Sequence, residues 1–472
     1  MKPWSFQQIR RVTLSRWLAR GTREFTGRVS TDSRDVRPGD LFIAITGPNF
    51  DGHHFIPEVL EAGAAGILAS HPTDAAIGSA VAASVTLLQC DDTIRGLNRL
   101  AAAYRRELRA KVIAVGGSNG KTTTKRIIHT LLTTRFSGVA SPKSFNNNIG
   151  LPLTLLSVEP QHEYVVLEVG TNAPGEVEFL GQVAAPDIVV ITGVGLEHLE
   201  FLSDIKHVAR EEAALARFVA TDGILLLTND SPELLAALRL VHGPRFTIGA
   251  SGSGADMEAT EIHELLTGID FVVNGHAHYH LPLLGRHNVY NAMLAIGVAR
   301  RMGLTDAEIQ SGMQNVKSAP MRLEPLRCGS HFIINDAYNA NPTSMAAAIK
   351  MLATLPLADD GGERPRRVAI LGDMLELGPT AVDLHHQTGS LAAENPIDLL
   401  LLVGPLMQHA AEAARLRNST VFHFMDVASA AAALPGLLHP SDVILLKASR
   451  GLRLEKLLPV LGAVESDFAA PR

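Results

Sequence analysis

The chain has 472 residues, 46% of them hydrophobic and 19% charged, with a formal net charge of -6. That is the composition of a globular chain of two to four domains rather than a disordered one, and an acidic balance with no long basic run argues against nucleic acid as the main partner. Two cysteines, Cys90 and Cys328, support neither a disulfide framework nor a zinc site and suit a reducing compartment. Residues 1–7 lack the apolar core of a signal peptide, and no apolar run reaches the ~18 residues a membrane span needs. A cytoplasmic protein without membrane insertion is therefore expected, and a monomer.

Residues 1–85 read as a small α/β unit of their own. Apolar runs and their spacing predict a strand at 40–45, a helix at 55–65 and a strand at 66–69. Two polar loops lie beside these elements, Ser30-Thr31-Asp32-Ser33-Arg34 and Gly47-Pro48-Asn49-Phe50-Asp51-Gly52-His53-His54. Taken alone each reads as turn chemistry, although loops beside strands are also where ligands are held.

Residues 86–318 alternate strand and helix signals around one stretch. Val112-Ile113-Ala114-Val115 suits a buried strand, Gly116-Gly117-Ser118-Asn119-Gly120 a tight loop, and 126–134 a helix with Ile127, Ile128, Leu131 and Leu132 on one side. Strand, glycine-rich loop and helix together make a phosphate cradle, in which backbone N–H groups and the helix N-terminus face oxygen anions. Lys121 can reach terminal phosphates, and the Thr122 hydroxyl can hold Mg²⁺. The strict P-loop asks for an earlier glycine where Val115 stands, so the loop is the shorter form Gly117-Ser118-Asn119-Gly120-Lys121-Thr122, followed by Thr123.

Further along, the apolar runs 164–170 and 187–192 carry polar residues at their carboxyl ends. Apolar strands between helices imply a parallel sheet covered on both faces, with ligands beyond the carboxyl ends of its strands. Glu168 and His198 follow such ends. A carboxylate is a natural Mg²⁺ ligand, whereas His198 is as readily a structural histidine on chemistry alone. Ser144-Phe145-Asn146-Asn147-Asn148-Ile149-Gly150 is either a capped turn or an amide-lined site. Asn288 and Asn291 share a helix face and either read an adenine edge or serve as a cap plus one exposed amide.

Residues 319–472 read as a second doubly wound unit, with strands at 332–335, 367–371, 399–403 and 443–447 separated by helical patterns. Its loops carry Asp336-Ala337-Tyr338-Asn339-Ala340-Asn341-Pro342, Gly372-Asp373-Met374 and Lys447-Ala448-Ser449-Arg450-Gly451. The stretch 359–365 reads as a solvated loop. His385 and His386 read as surface or core polar residues rather than metal ligands.

Together these residues resemble the ATP-dependent Mur ligase family of bacterial cell-wall synthesis. The resemblance runs from Asp32-Ser33-Arg34 to Ser449-Arg450-Gly451, and Gly117-Ser118-Asn119-Gly120-Lys121-Thr122-Thr123 matches the family's phosphate loop. Other matches are the segments 146–156, 287–292, 336–345 and 371–378. The Asn339-Ala340-Asn341-Pro342 form, and the absence of an Asp-Asn-Pro-Arg motif, set the chain apart from the member that adds the third amino acid. The resemblance implies an N-terminal UDP-binding unit, a central ATPase unit with a P-loop-type parallel sheet, and a C-terminal Rossmann-like unit. It implies an amide ligase that joins D-alanyl-D-alanine to UDP-N-acetylmuramoyl-tripeptide through an acyl phosphate, with ATP and Mg²⁺. It assigns Ser33, Arg34 and Asn147 to the UDP-linked substrate, and Lys121 to the ATP phosphates. Thr122, Glu168 and His198 go to Mg²⁺, and Asn288 and Asn291 to the adenine region. Arg322, Asp336 and Tyr338 go to the nucleotide, and Asn339 and Asn341 to the dipeptide side.

One position departs from the family pattern. Members usually place a carbamylated lysine about fourteen residues after the histidine matching His198, and Glu212 stands there. Either Glu212 replaces the carbamate directly, with the charge kept and the reach shortened, or it lies on a solvated helix face. Three rivals are the family member that adds the third amino acid, folylpolyglutamate synthase, against which the Asp32-Ser33-Arg34 region argues, and a nucleotide-dependent switch without ligase activity. Intact Lys121, Glu168 and His198 favour an enzyme.

Overall fold

The computed structural model describes residues 1–197, 199–357, 364–417 and 420–462. His198 and most of the 359–365 loop therefore lie outside the described residues.

The N-terminal unit is a five-stranded sheet in the order Arg16–Ala19, Thr86–Gln89, Gly66–Ala69, Leu41–Ile43, Val29–Ser30. Its second strand, Thr86–Gln89, lies beyond the boundary expected at residue 85, so this sheet runs further along the chain. The helix expected at 55–65 is a 3₁₀ turn, Gly52–Phe55, leading into Ile56–Glu61.

The central unit is a nine-stranded sheet, and its register sets up the site. Strand Lys111–Gly116 lies between Tyr164–Glu168 and Ile188–Ile191, parallel to both. Glu168 pairs with Val115 and Ile191 with Gly116, so the three strands end level. The residues that follow them must therefore meet above one edge of the sheet. Alternate side chains feed the two faces, as period-2 geometry requires. Ile113, Val115, Val166 and Val190 pack against Ile127, Ile128 and Leu131 on one face, while Val112, Ala114, Val165, Leu167 and Val189 lie in the core on the other.

The sheet is not parallel throughout. Gly268–Val273 and Ala277–Leu281 form an antiparallel edge with Met257–Leu265. Met257–Leu265 alternates inward and outward residues towards its end, the mark of a strand with one wet face. The phosphate-loop helix runs from Lys121 to Leu132 rather than from residue 126. Its first turn is Lys-Thr-Thr-Thr, which carries no apolar periodicity to announce it.

The C-terminal unit is a six-stranded sheet in the order Glu324–Cys328, His331–Asp336, Val443–Lys447, Arg367–Gly372, Leu399–Val403, Val421–Phe424, parallel except for its first strand. The last strand in sequence sits inside the sheet, between His331–Asp336 and Arg367–Gly372. That topological switch brings the loops after Asp336, Gly372 and Lys447 side by side, where such sheets hold ligands. His385 is buried and structural: its Nε2 accepts the Met374 N–H at 3.0 Å.

The carboxyl edges of the central and C-terminal sheets face one another. Tyr338 Oη lies 2.7 Å from Ser144 Oγ, Asn341 Nδ2 donates to Asn119 Oδ1 at 3.0 Å, and the Leu196 N–H donates to Thr343 Oγ1 at 3.3 Å. Between the sheets lies a cavity of about 710 Å³.

Candidate active site

The phosphate loop forms one wall of this cavity. Gly117 and Gly120 sit at φ +114° and +85°, and a Cβ at either would collide with Thr192 or with the Asn291 amide. Only glycine fits both the dihedrals and the space. Thr192 Oγ1 donates to Gly116 O at 3.1 Å and to Asn119 O at 2.5 Å, tying the loop to the next strand end. Lys121 Nζ folds back on its own loop, donating to Gly117 O at 2.5 Å and Ser118 O at 3.2 Å. Burial pulls the Lys121 pKa down, but the carboxylates of Glu197, Glu212 and Glu168 outweigh that and raise it, so the ammonium stays charged.

Glu168 is the hub of the adjoining wall, its strand paired with the one that leads into the loop. It is 1% exposed and accepts from Thr122 Oγ1 at 3.0 and 3.1 Å, from Lys125 Nζ at 2.8 Å and from Asn146 Nδ2 at 3.3 Å. Lys125 is itself buried, its pKa lowered by burial, and also donates to Lys143 O. Lys125 does not stand out in the sequence, and Asn146 is one of three consecutive amides in the run 144–150. Among the adjacent amides it is Asn146 that reaches Glu168. Asn147 lines the cavity, but its Oδ1 accepts the N–H groups of Ile149 and Gly150, so it serves as the cap of a helical turn.

Glu212 is not on a solvated helix face. It is fully buried in helix Ile205–Ala214, and its Oε2 accepts the Gly117 N–H at 2.6 Å. It does not line the cavity; it lies beneath the loop, consistent with a side chain shorter than a carbamylated lysine. Glu212 Oε1 has no hydrogen-bond partner among the described residues, and burial raises the carboxyl's pKa. Glu197, which no sequence motif marks, is buried 3.9 Å from Lys121 Nζ. Its Oε1 likewise has no hydrogen-bond partner among the described residues, and burial, reinforced by Glu212 and Glu376 against the pull of Lys121, pushes its pKa up to about 8.

The C-terminal unit supplies the far wall. Asp336 accepts from Leu323 N at 3.1 Å and from Lys447 Nζ at 2.6 Å, and Lys447 also donates to Asn339 O at 3.0 Å. The Arg322 guanidinium lies 4.1 Å from the centroid of the Tyr338 ring. Asn341 caps helix Pro342–Thr354 as well as reaching Asn119. His287 lines the cavity, its pKa lowered by burial.

Asn288 and Asn291 are both buried, so the reading of one as an exposed amide does not hold. Asn291 accepts from Thr124 Oγ1 at 3.1 Å and donates to Asn288 Oδ1 at 2.8 Å, while Asn288 Nδ2 donates to Leu284 O at 2.7 Å. Their amides brace the phosphate-loop helix at the cavity wall. Ser33 and Arg34 are not brought to this cavity; they form a short turn of the N-terminal unit, with the largely exposed Arg34 paired to Asp32 at 2.7 Å. The Gly47–His54 loop is architectural. His53 contacts Asp51 at 2.6 Å and accepts the Ser70 N–H at 2.9 Å, which occupies both ring nitrogens.

The donor set suits a hard divalent cation beside phosphates. The Thr122 hydroxyl and the Glu168 carboxylate converge at the cavity, and Glu197 contributes a buried oxygen without a hydrogen-bond partner. A loop of backbone N–H groups, a charged lysine and oxygen ligands can bind a nucleoside triphosphate and stabilise phosphoryl transfer.

Comparison with known proteins gives three family matches. The Mur ligase middle domain matches residues 115–299, the Mur ligase glutamate ligase domain residues 321–450, and the Mur ligase family catalytic domain residues 27–105. A relative from Bacillus subtilis (strain 168), the UDP-N-acetylmuramoyl-tripeptide–D-alanyl-D-alanine ligase, is 35% identical over 445 residues, 93% of this chain and 94% of the relative. The Escherichia coli (strain K12) protein of the same name is 31% identical over 440 residues, 92% and 93% of the two chains. A crystal structure of MurF from Acinetobacter baumannii matches with a TM-score of 0.87 at 29% identity, covering 97% of this chain and 98% of that one.

Proposed function

The chain belongs to the Mur ligase family, and from that premise we propose that it joins D-alanyl-D-alanine to UDP-N-acetylmuramoyl-tripeptide, with conversion of ATP to ADP and phosphate, in peptidoglycan precursor synthesis. The observation that carries this reading is the cavity itself, where a phosphate loop and a buried carboxylate face the strand-end loops of a second α/β sheet. Similarity over more than nine-tenths of the chain to relatives of that name supplies the substrates.

A carboxylate does not accept an amine directly, because oxide is a poor leaving group. Transfer of the ATP γ-phosphoryl group to the terminal carboxylate of the tripeptide gives an acyl phosphate and ADP. The dipeptide amine then attacks the carbonyl carbon, and the tetrahedral intermediate expels phosphate as the amine loses its proton. The loop's N–H groups and Lys121 hold the phosphates and balance the charge that spreads over their oxygens. Thr122, Glu168 and His198 are the residues that would hold Mg²⁺, whose charge neutralises the triphosphate when bound. Arg322, Asp336 and Tyr338 face the nucleotide, with Asn288 and Asn291 bracing the loop on the adenine side. The contacts between sheets keep water from the acyl phosphate. Ser33 and Arg34 take the UDP end of the substrate, which suits a guanidinium 87% exposed.

Glu212 acts on the loop rather than on substrate. It stands beneath the loop at the position where the family carries a carbamylated lysine, accepts the Gly117 N–H there, and is a positioning residue. Glu212→Gln, which keeps an acceptor for Gly117 N–H, is expected to retain turnover within about tenfold. Glu212→Ala, which leaves that buried N–H unpaired at a cost of about 1–3 kcal/mol, is expected to lose more and to need more Mg²⁺ for half-maximal rate. Unchanged turnover and Mg²⁺ dependence in Glu212→Ala rule the role out. The reading as a whole is tested by product mass: ATP, Mg²⁺ and both substrates should yield the UDP-linked pentapeptide, and its absence with either diaminopimelate- or lysine-containing tripeptide contradicts the proposal.

A further inference from the structure

A second cavity, of about 240 Å³, adjoins the first, and Asn172, Glu197, Tyr338, Asn339, Ala340 and Asn341 line both. The acyl carbon of a ligation has to lie near this border, because it is bonded to the transferred phosphoryl group and must also be open to an amine arriving from beyond the loop. None of the six residues is a cation. Glu197 is a carboxylate, and the charged residues that line the second cavity alone, Glu376 and Arg450, are of opposite sign. A negative oxygen formed at the border therefore depends on a neutral donor among the six.

Tyr338 Oη is committed to Ser144 Oγ, and Asn341 Nδ2 to Asn119 Oδ1. The carboxamides of Asn172 and Asn339 keep Nδ2 without a partner among the described residues, Asn339 using its Oδ1 for the Ala340 N–H at 2.9 Å. Asn339 belongs to the C-terminal unit. Asn172 belongs to the central one, just after strand Tyr164–Glu168, so the sheet that carries the phosphate loop also carries it. Its side chain is exposed, but the backbone around it is pinned. The N–H groups of Asn172 and Ala173 donate to Glu176 Oε2 at 2.7 and 3.2 Å, and Thr171 Oγ1 donates to Ala173 O at 2.8 Å. The N–H groups of Gly175 and Val177 donate to Glu211 Oε2 and Oε1, both at 2.9 Å. Glu211 precedes Glu212, so helix Ile205–Ala214 braces this turn with one carboxylate and the phosphate loop with the next. The fold presents an unused amide on a fixed backbone, the condition for a preorganised donor.

We propose that Asn172 is a further catalytic residue, its Nδ2 donating to the acyl oxygen of the tripeptide as the dipeptide amine adds to the acyl phosphate. The proposal rests on the ligase reading above and assigns a group to its second step. In that step the amine nitrogen bonds to the acyl carbon while the C=O π pair moves onto oxygen. Collapse re-forms C=O, breaks the bond to the phosphate oxygen, and sends the amine proton out with the phosphate. Negative charge therefore grows on the acyl oxygen only in the second step; in the first, the carboxylate gives charge up to the phosphoryl group. A donor at that oxygen speeds amide formation and does nothing for phosphoryl transfer.

The test is a rapid-quench single turnover on the full chain with ATP, Mg²⁺, UDP-N-acetylmuramoyl-tripeptide and D-alanyl-D-alanine. ADP and the UDP-linked pentapeptide are followed separately for the wild type, Asn172→Ala and Asn172→Asp. Both variants are expected to form ADP within about threefold of the wild-type rate and pentapeptide about 10²-fold more slowly, with an acyl phosphate that hydroxylamine traps in the interval. KM for ATP should stay within about threefold, and thermal unfolding should match the wild type because no side-chain bond of the fold is removed. A variant whose pentapeptide keeps pace with the wild type overturns the assignment. So does one in which ADP and pentapeptide slow together, the mark of a residue that only seats the substrate. A wild type that makes no pentapeptide overturns the ligase reading itself.

Discussion

Lys121→Ala is expected to abolish ligation while leaving the chain folded. In the wild type the ammonium is held within the loop by two carbonyls and stays charged because Glu197, Glu212 and Glu168 surround it. Phosphoryl transfer has little covalent chemistry for a protein to perform. Most of the catalysis is positioning and charge balance, so removing the loop's lysine should cost at least about 10²–10³-fold in kcat. The fold should survive because the lysine's bonds are to its own loop. Burial already pushes the Glu197 pKa up to about 8, so that carboxyl can take up a proton rather than stand as an uncompensated charge. Phosphate-release kinetics and thermal unfolding check the two halves separately. Wild-type turnover in Lys121→Ala would remove the lysine from the mechanism.

Glu168→Ala should damage both activity and stability, for reasons that can be separated. The carboxylate holds the Thr122 hydroxyl, Lys125 and Asn146, and its ion pair with Lys125 is almost wholly buried, with side chains 1% and 3% exposed. Removing one member of a buried pair strands the other and typically costs about 3–5 kcal/mol, here a fall in Tm of about 10 °C. Adding Lys125→Met removes the stranded amine and should restore much of the Tm. It should not restore turnover, because the carboxylate proposed to hold Mg²⁺ is still missing. If the double variant regains activity along with stability, Glu168 serves the fold alone.

Sequence made the phosphate loop legible because its constraints are local. Gly117 and Gly120 are demanded by backbone dihedrals and by close approach, and both can be read from the spacing. Glu168 was legible because a lone carboxylate closing an apolar strand is costly to bury unless a cation or a hydrogen-bond donor meets it there. The partners that make the loop work were not. Lys125 falls just ahead of the helix expected at 126–134, where nothing local marks it for burial, and only tertiary pairing with Glu168 buries it. The choice between Asn146 and Asn147 depends on the register of one turn. Glu212 could be placed in sequence, but whether it faces solvent or the underside of the loop depends on how helix Ile205–Ala214 packs. At the N-terminal end, strand Thr86–Gln89 escaped the first unit because its pairing with Gly66–Ala69 and Arg16–Ala19 is not local.

The most direct measurement of the central claim is the initial rate of phosphate release from ATP with Mg²⁺ and UDP-N-acetylmuramoyl-tripeptide, taken with and without D-alanyl-D-alanine. A ligase built on this cavity releases phosphate in step with amide formation, so the rate should depend on both substrates and rise strongly when the dipeptide is added. Release that is indifferent to the dipeptide, or absent with every tripeptide offered, would contradict the account.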